Sequence, residues 1–232
     1  VIDTNVSAGI TVARGTGGSS WLVSHRIATD SFFVYEVNGS GLSTTPVISK
    51  AGSNTSTVDY ILPQMKTSPD GKMIAVTSSR DNTVVFRSMV AFVEVFNLDG
   101  ATGALSSKVR TLVTSDIYGT LRSLEFSADN RLLYHSLSVG VDGLQPCGFG
   151  ASSIWQYNLC YTDSVDFTRF SMVVAQDLKW CFPHLIWGRI QMGADKKIHM
   201  NFTGTTMPAV QNPNRIGSYC NFKFDDFQTL NS

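Results

Sequence analysis

Four histidines and four cysteines carry the strongest potential chemistry in this chain, and their spacing limits what they can do. His25, His135, His184 and His199 stand far apart, and none has a second His or Cys at the short separations that zinc ligands take. His135 and His199 fall at strand positions, where packing or a hydrogen bond is the plain role. Cys147, Cys160, Cys181 and Cys220 form no CxxC pair. An even set suits either disulfides in an oxidising compartment or four buried thiols. Sequence leaves three connectivities open, of which Cys147 with Cys160 across one hairpin, and Cys181 with Cys220, is the expected one.

Carboxylates and glycines point to no reaction. Paired carboxylates would serve glycoside hydrolysis, and Asp59, Glu94, Asp116, Glu125 and Asp177 are the candidates at strand edges. Glu94 and Glu125 alternate regularly with apolar neighbours, which reads as a solvated strand face. No Gly-x-Ser-x-Gly elbow is present. The Gly-rich "ARGTGGSS" precedes a strand rather than a helix, so it is a loop and not a phosphate cradle. "SRDNT" (Asp81, Asn82) and "KFDDF" (Asp225, Asp226) are rich enough in oxygen to raise structural calcium, though turn formation is the plainer account. The expectation is a protein without catalytic residues, cofactor or metal.

Aromatic side chains offer the better binding surface. Trp21, Trp155, Trp180 and Trp187, with Phe32, Tyr35 and Tyr157, either fill gaps between sheets or stack on sugar rings. "LKWCFPHLIWGRI" is the one segment that breaks the grammar of the rest. Its Trp180, Phe182, His184 and Trp187 are the expected binding residues, facing a partner or plugging the space between sheets.

The elements that must hold these residues are strands. The 232 residues are 43% hydrophobic and 16% charged, with zero formal net charge. That balance disfavours nucleic acid, whose binding needs clustered Lys and Arg, and no run reaches the ~20 apolar residues of a spanning helix. Asp70 in "TSPDGKMIAVTSS", Asp129 in "FSADNRLLYHSLS" and Asp195 in "MGADKKIHMNFTG" mark one hairpin written three times, at spacings of 59 and 66 residues. Each copy places a small residue, an Asp and a basic residue in a turn. An alternating strand follows, with Met73, Ala75 and Thr77 on one face and Ile74 and Val76 on the other. "AFVEVFNLDGATGAL" and "SSIWQYNLCYTDS" follow two of the hairpins, and both run into Asn-Leu before a turn. A fourth copy precedes the first hairpin, around "SSWLVSHR" and "SFFVYEV", with its turn written "HRIATD". No helix is expected. "KAGSNTSTV", "LVTSDIYGT" and "TGTTMPAVQNPNRIG" read as connections between units. Four-strand units at this period are what a β-propeller repeats. The expected fold is therefore an all-β propeller (WD40/YVTN-like) with about four to five blades in this chain, at about 11–48, 60–105, 121–162 and 186–226.

The ordered set "WLVSH…FFVYEV", "SPDGKMIAV…FVEVFNLDGATGAL", "SADNRLLY…SSIWQYNL" and "GADKKIHMNF…AVQNPNRIGSYCNF" resembles the N-terminal propeller region of Bacteroidetes secreted proteins. In that family the region precedes a gliding-motility-associated C-terminal domain, the type B sorting signal of type IX secretion. The most specific part is the last, with Asn212, Pro213, Asn214, Gly217, Cys220, Asn221 and Phe222. The resemblance implies export to the cell surface or medium and a non-catalytic role in adhesion, or in binding a cell-surface protein or glycan. It also implies O-glycosylation at Ser164, where Asp163-Ser164-Val165 fits the short acceptor pattern. Since only four units are clear, other chains that complete the ring are a further class of expected partner, and without the sorting domain the resemblance implies no anchoring. Two alternatives remain. One is a lactonase-type propeller enzyme using His25, Arg80 and Glu125, and the other is a structural subunit of a surface filament.

Overall fold

The Asp turns fold as their side chains dictate. A computed structural model of the chain describes residues 5–53, 64–81, 89–115, 119–139, 151–177, 189–201 and 206–228. Between strands Met65–Thr67 and Met73–Asp81, Ser68 Oγ donates to Asp70 Oδ1 at 2.6 Å, and Lys72 N donates to the same oxygen at 3.1 Å. Met73 N closes the turn onto Ser68 Oγ at 2.9 Å. The second copy repeats this set between Gly119–Phe126 and Leu132–Val139. Ser127 Oγ to Asp129 is 2.7 Å, Arg131 N to Asp129 is 3.2 Å, and Leu132 N to Ser127 Oγ is 2.9 Å. In the third copy Gly193 replaces the serine, and His199 Nε2 meets Asp195 Oδ1 at 2.9 Å instead. The left-handed position of the turn is Gly71, Asn130 and Lys196 in turn, with φ of 75°, 62° and 62°. Glycine and asparagine take that conformation readily, whereas a lysine there costs on the order of 1 kcal/mol.

Four antiparallel sheets follow from these turns, each a meander in chain order. The first holds β1 (Val6–Arg14), β2 (Ser20–Arg26) and β3 (Ser31–Asn38). Its fourth position is shared by β4 (Gly41–Leu42) and β5 (Val47–Lys50), both paired to β3. The second holds β6 (Met65–Thr67), β7 (Met73–Asp81), β8 (Met89–Leu98) and β9 (Leu105–Ser115). The third holds β10 (Gly119–Phe126), β11 (Leu132–Val139), β12 (Ala151–Asn158) and β13 (Met172–Asp177). The fourth holds β14 (Ile190–Met192), β15 (Ile198–Met200), β16 (Thr206–Val210) and β17 (Phe222–Gln228). The chain divides into two compact units, one built on the first pair of sheets and one on the second.

Within each unit the two sheets share a core. In the first unit Trp21, Val23, Phe32 and Val34 pack with Ile74, Val76, Phe96 and Leu98. In the second, Leu132, Tyr134 and Ile154 pack with Ile190, Ile198, Met200 and Val210. Leading strands lie side by side. Thr11 on β1 bonds Thr67 on β6 at 2.9 Å, and Ser123 on β10 donates to the Ile190 carbonyl at 3.1 Å. Ile74 to Thr77 on β7 and Leu132 to Leu137 on β11 are buried without alternation, the pattern of a strand covered on both faces.

Several sequence expectations need correction. A helix exists, α1 (Ser164–Arg169), because Asp163 caps it, accepting from Val165 N at 2.8 Å and Asp166 N at 3.1 Å. The expected units stopped short, since β9 and β13 carry the second and third sheets past residues 105 and 162. "LVTS" belongs to β9 and "TMPAV" is β16. "HRIATD" spans the β2–β3 connection, so the counterpart of the Asp turn in the first sheet is Gly15–Ser19, where Gly15 N bonds Ser19 O at 3.0 Å. Glu94 and Glu125 are not on a solvated face. Both are buried, and their carboxylates accept from Ser53 N at 3.1 Å and Met192 N at 2.9 Å respectively, tying neighbouring sheets.

Two histidines set an acid limit on the fold. His135 is fully buried, stacked with Trp155 and Tyr157 at ring separations of 6.1 and 5.4 Å, and among the described residues neither ring nitrogen has a hydrogen-bond partner. Burial lowers its pKa to about 3. Burial also lowers His25 to about 4, against a small upward pull from Asp30. Above pH ~6.5 both are neutral folded or unfolded, and stability does not depend on them. Below it the unfolded chain takes up protons that the folded chain refuses, so stability falls by up to about 1.4 kcal/mol per pH unit for each. Urea midpoints are expected to drop between pH 7 and pH 5, with His135→Leu flattening the slope. A variant as pH-sensitive as the parent would show that His135 does not set the limit.

Candidate functional site

The same junction is built twice, and only one copy is open. In the first unit the β1–β2 turn meets the β8–β9 turn, whose connecting residues are 99–104. Thr16 N and Trp21 Nε1 both donate to the Gly100 carbonyl at 2.9 Å. Asp99 closes its own turn by accepting from Ala101 N at 2.8 Å, and that amide, helped by Thr102, holds its carboxyl below the usual range. Gly103, at φ 74°, lies so close under Trp21 that a Cβ there would stand 2.7 Å from the indole. The junction is shut.

In the second unit the β10–β11 turn meets the β16–β17 connection, which is longer and runs over residues 211–221. Its ends zip together, with Gln211 N to Asn221 O at 3.1 Å and Asn212 N to Cys220 O at 2.9 Å. Its middle is pinned by two side chains of the neighbouring sheet. Tyr134 Oη donates to Pro213 O at 2.8 Å. Gln156 Nε2 donates to Tyr134 Oη at 2.6 Å and to Arg215 O at 2.8 Å, while Gln156 Oε1 accepts from Gly217 N at 2.8 Å. Burial pushes the Tyr134 phenol above its ordinary range, so it stays a neutral donor. Held this way, the longer loop meets the Asp129 turn at Asn214 and leaves beside that contact a cleft of 570 Å³, within the span of small-ligand sites at roughly 300–1,000 Å³.

Arg131, Asn212, Asn214, Arg215, Ile216 and Tyr219 line the cleft. Arg131 is committed, with Nε and Nη2 each 2.6 Å from Asp129 Oδ2. Burial alone would raise the Asp129 pKa, but the bonds from Ser127 and Arg131, with the charge of Arg131, hold it below the usual range. Asn214 Oδ1 accepts from Asp129 N at 3.4 Å, which leaves its amide N–H groups free to donate. Tyr219 is 80% exposed and Ile216 50%. The arrangement offers amide and guanidinium donors beside an exposed aromatic ring, a binding chemistry without a nucleophile. Cys220 beneath it is buried, and burial pushes its thiol up to about 11.

The expected binding residues Trp180, Phe182, His184 and Trp187 lie outside the described residues, as do Cys147 and Cys181. Cys160 and Cys220 are free thiols, the first exposed and the second buried. Ser164 is exposed at the start of α1. Asp59, Asp116, Asn82 and the side chains of Asp81, Asp177, Asp225 and Asp226 are outside the described set. Among the described residues no group of three His, Cys, Asp or Glu comes together to hold a metal, and no helix is long and apolar enough to cross a membrane. His25 on β2 packs its ring on Phe32 at 4.6 Å, Arg80 is on β7, and Glu125 on β10 is held by backbone amides. The three stand in three different sheets. Sequence reading passed over Arg215, Ile216 and Tyr219 because the "NPNRIGSYCN" string reads as turn chemistry, and took Arg131 only as the basic residue of the Asp129 turn. The signal in it was an Arg and a Tyr inside a connection too long for a tight turn.

No family model matches the chain, and no curated protein matches it. Among solved structures, prolyl oligopeptidase B from Galerina marginata bound to a macrocyclization substrate aligns over 97% of this chain and 32% of its own, at 12% identity and a TM-score of 0.51. The chain thus spans about a third of that protein, which contains a β-propeller, and the likeness concerns fold alone. A GDP-Man-dependent mannosyltransferase from Leishmania mexicana aligns over 86% of this chain and 81% of its own at 8% identity, with a TM-score of 0.27 that carries no argument.

Gln156 is the test of how the cleft is held. Gln156→Ala removes three hydrogen bonds from a buried site and is expected to cost about 2–3 kcal/mol. Amide exchange should quicken at Gly217 and across 211–221 while β15 stays protected. Unchanged exchange in the loop would mean that Gln156 does not hold it.

Proposed function

We propose that this chain is a β-propeller binding module, secreted or displayed at the cell surface, that recognises a saccharide in the cleft between the Asp129 turn and the 211–221 loop. The observation that carries the reading is the asymmetry between two equivalent junctions. One is sealed by Trp21 and Gly103, while the other is opened by a longer loop presenting polar donors and a bare tyrosine.

Support for the propeller comes from the four sequential meanders, from leading strands lying side by side within each unit, and from the fold likeness to a propeller-containing protein. Loops on a rigid sheet scaffold are where such folds carry recognition. A saccharide suits the cleft because amide and guanidinium groups can donate to hydroxyls while an exposed aromatic ring covers an apolar sugar face. Export to the cell surface rests on the resemblance to Bacteroidetes secreted propellers, and adhesion is the role that follows from it.

A glycan array probed with the purified chain is expected to return a saccharide class, and Tyr219→Ala is expected to weaken that binding at least ten-fold without altering the circular dichroism spectrum. Absence of binding to every saccharide, or full binding by Tyr219→Ala, would overturn the reading.

A further inference from the structure

The donors that line the cleft are not balanced by acceptors. Two guanidinium groups, from Arg131 and Arg215, face it with one carboxylate nearby. That carboxylate is saturated. Asp129 Oδ1 takes Ser127 Oγ at 2.7 Å and Arg131 N at 3.2 Å, and Oδ2 takes the Arg131 fork at 2.6 Å. Nothing of Asp129 is left for Arg215. Among the described residues the Arg215 side chain has no hydrogen-bond or ion-pair partner, although both its backbone groups are fixed, its N on Asn212 O at 3.0 Å and its O by Gln156. Arg215 thus lines the cleft from a backbone fixed by hydrogen bonds, with its planar donors unused.

We infer that the cleft selects an anionic saccharide, one whose carboxylate or sulfate is received by Arg215. The inference rests on the saccharide reading above and narrows it. A guanidinium engages a planar carboxylate or a sulfate edge through two parallel bonds, stronger than neutral hydrogen bonds. Arg215 stands beside Asn212 and Tyr219 in one lining, so the acid group, a neighbouring hydroxyl and the sugar face have separate partners. Arg131, already neutralised by Asp129, adds hydroxyl donors without adding net charge.

An acidic peptide fits less well. The cleft walls are closed turns whose amides at Gln211, Asn212, Arg215, Gly217 and Asn221 already have acceptors. An extended peptide therefore finds no strand edge there to pair with.

Titration calorimetry on the whole chain separates the possibilities, using oligogalacturonate, a sulfated galactan oligosaccharide, a neutral galacto-oligosaccharide of equal length and a poly-glutamate peptide. The expected result is that one of the anionic saccharides binds at least ten-fold tighter than the neutral one and weakens with added salt. That preference should vanish in Arg215→Ala and return in part in Arg215→Lys. The stronger of the two anionic arms identifies carboxylate or sulfate as the group received. Equal binding of neutral and anionic saccharides would overturn the inference and leave the saccharide reading standing. Binding of no saccharide at all would overturn both, and so would tighter binding of the peptide than of any saccharide. An Arg215→Ala variant that keeps the preference would overturn the inference alone. Asn212→Ala, expected to weaken neutral and anionic saccharides equally, checks that the Arg215 effect is one of charge.

Discussion

A sheet covered on both faces has no water with which to satisfy the polar side chains it buries, so each must find its partner within the protein. This constraint organises the molecule. Glu94, Glu125, Ser123 and Gln156 are all buried, and each reaches a backbone group outside its own sheet. They act as ties between neighbouring sheets, placed where two apolar faces alone would leave the relative register loose. His135 is an exception among the described residues, stacked among aromatics with neither nitrogen paired. The cost of charging it there is why its protonation opposes folding.

The ties explain why one junction can open without the fold loosening. In the first unit the seal is made by the turns themselves, through the Gly100 carbonyl and the close contact of Gly103 with Trp21. In the second, Gln156 and Tyr134 hold the loop from below, so its upper surface is relieved of a structural duty. Residues on that surface can then be chosen for what they present to solvent. A bare tyrosine and an uncommitted arginine on a loop with fixed backbone are a consequence of that division of labour.

How far the sequence foretold this depends on the range of the forces involved. The Ser-x-Asp turns were legible, since Ser68, Asp70 and Gly71 act within five residues of one another and Ser127, Asp129 and Asn130 repeat them. The meander followed from those turns and from alternating apolar runs. The fourth strands of the second and third sheets fell outside the expected units, β9 because an edge strand that exposes Ser106, Ser107 and Arg110 gives little apolar signal. Glu94 and Glu125 were misread for the opposite reason, as their partners Ser53 and Met192 lie 41 and 67 residues away. The cleft was illegible as such, for it depends on Gln156 meeting a loop about sixty residues further along.

Rigidity of the frame bears on what the cleft can discriminate. Ordering a loop on binding costs free energy that must come out of the contact itself. Here the backbone of 211–221 is already closed by its own amides and by Gln156, so the contacts that remain to form are those of side chains at Arg215, Asn212 and Tyr219. Such a site loses little to reorganisation. Its preference among ligands is then set by whether a ligand presents complementary groups at the spacing of those three side chains, and a mismatch cannot be repaired by moving the loop.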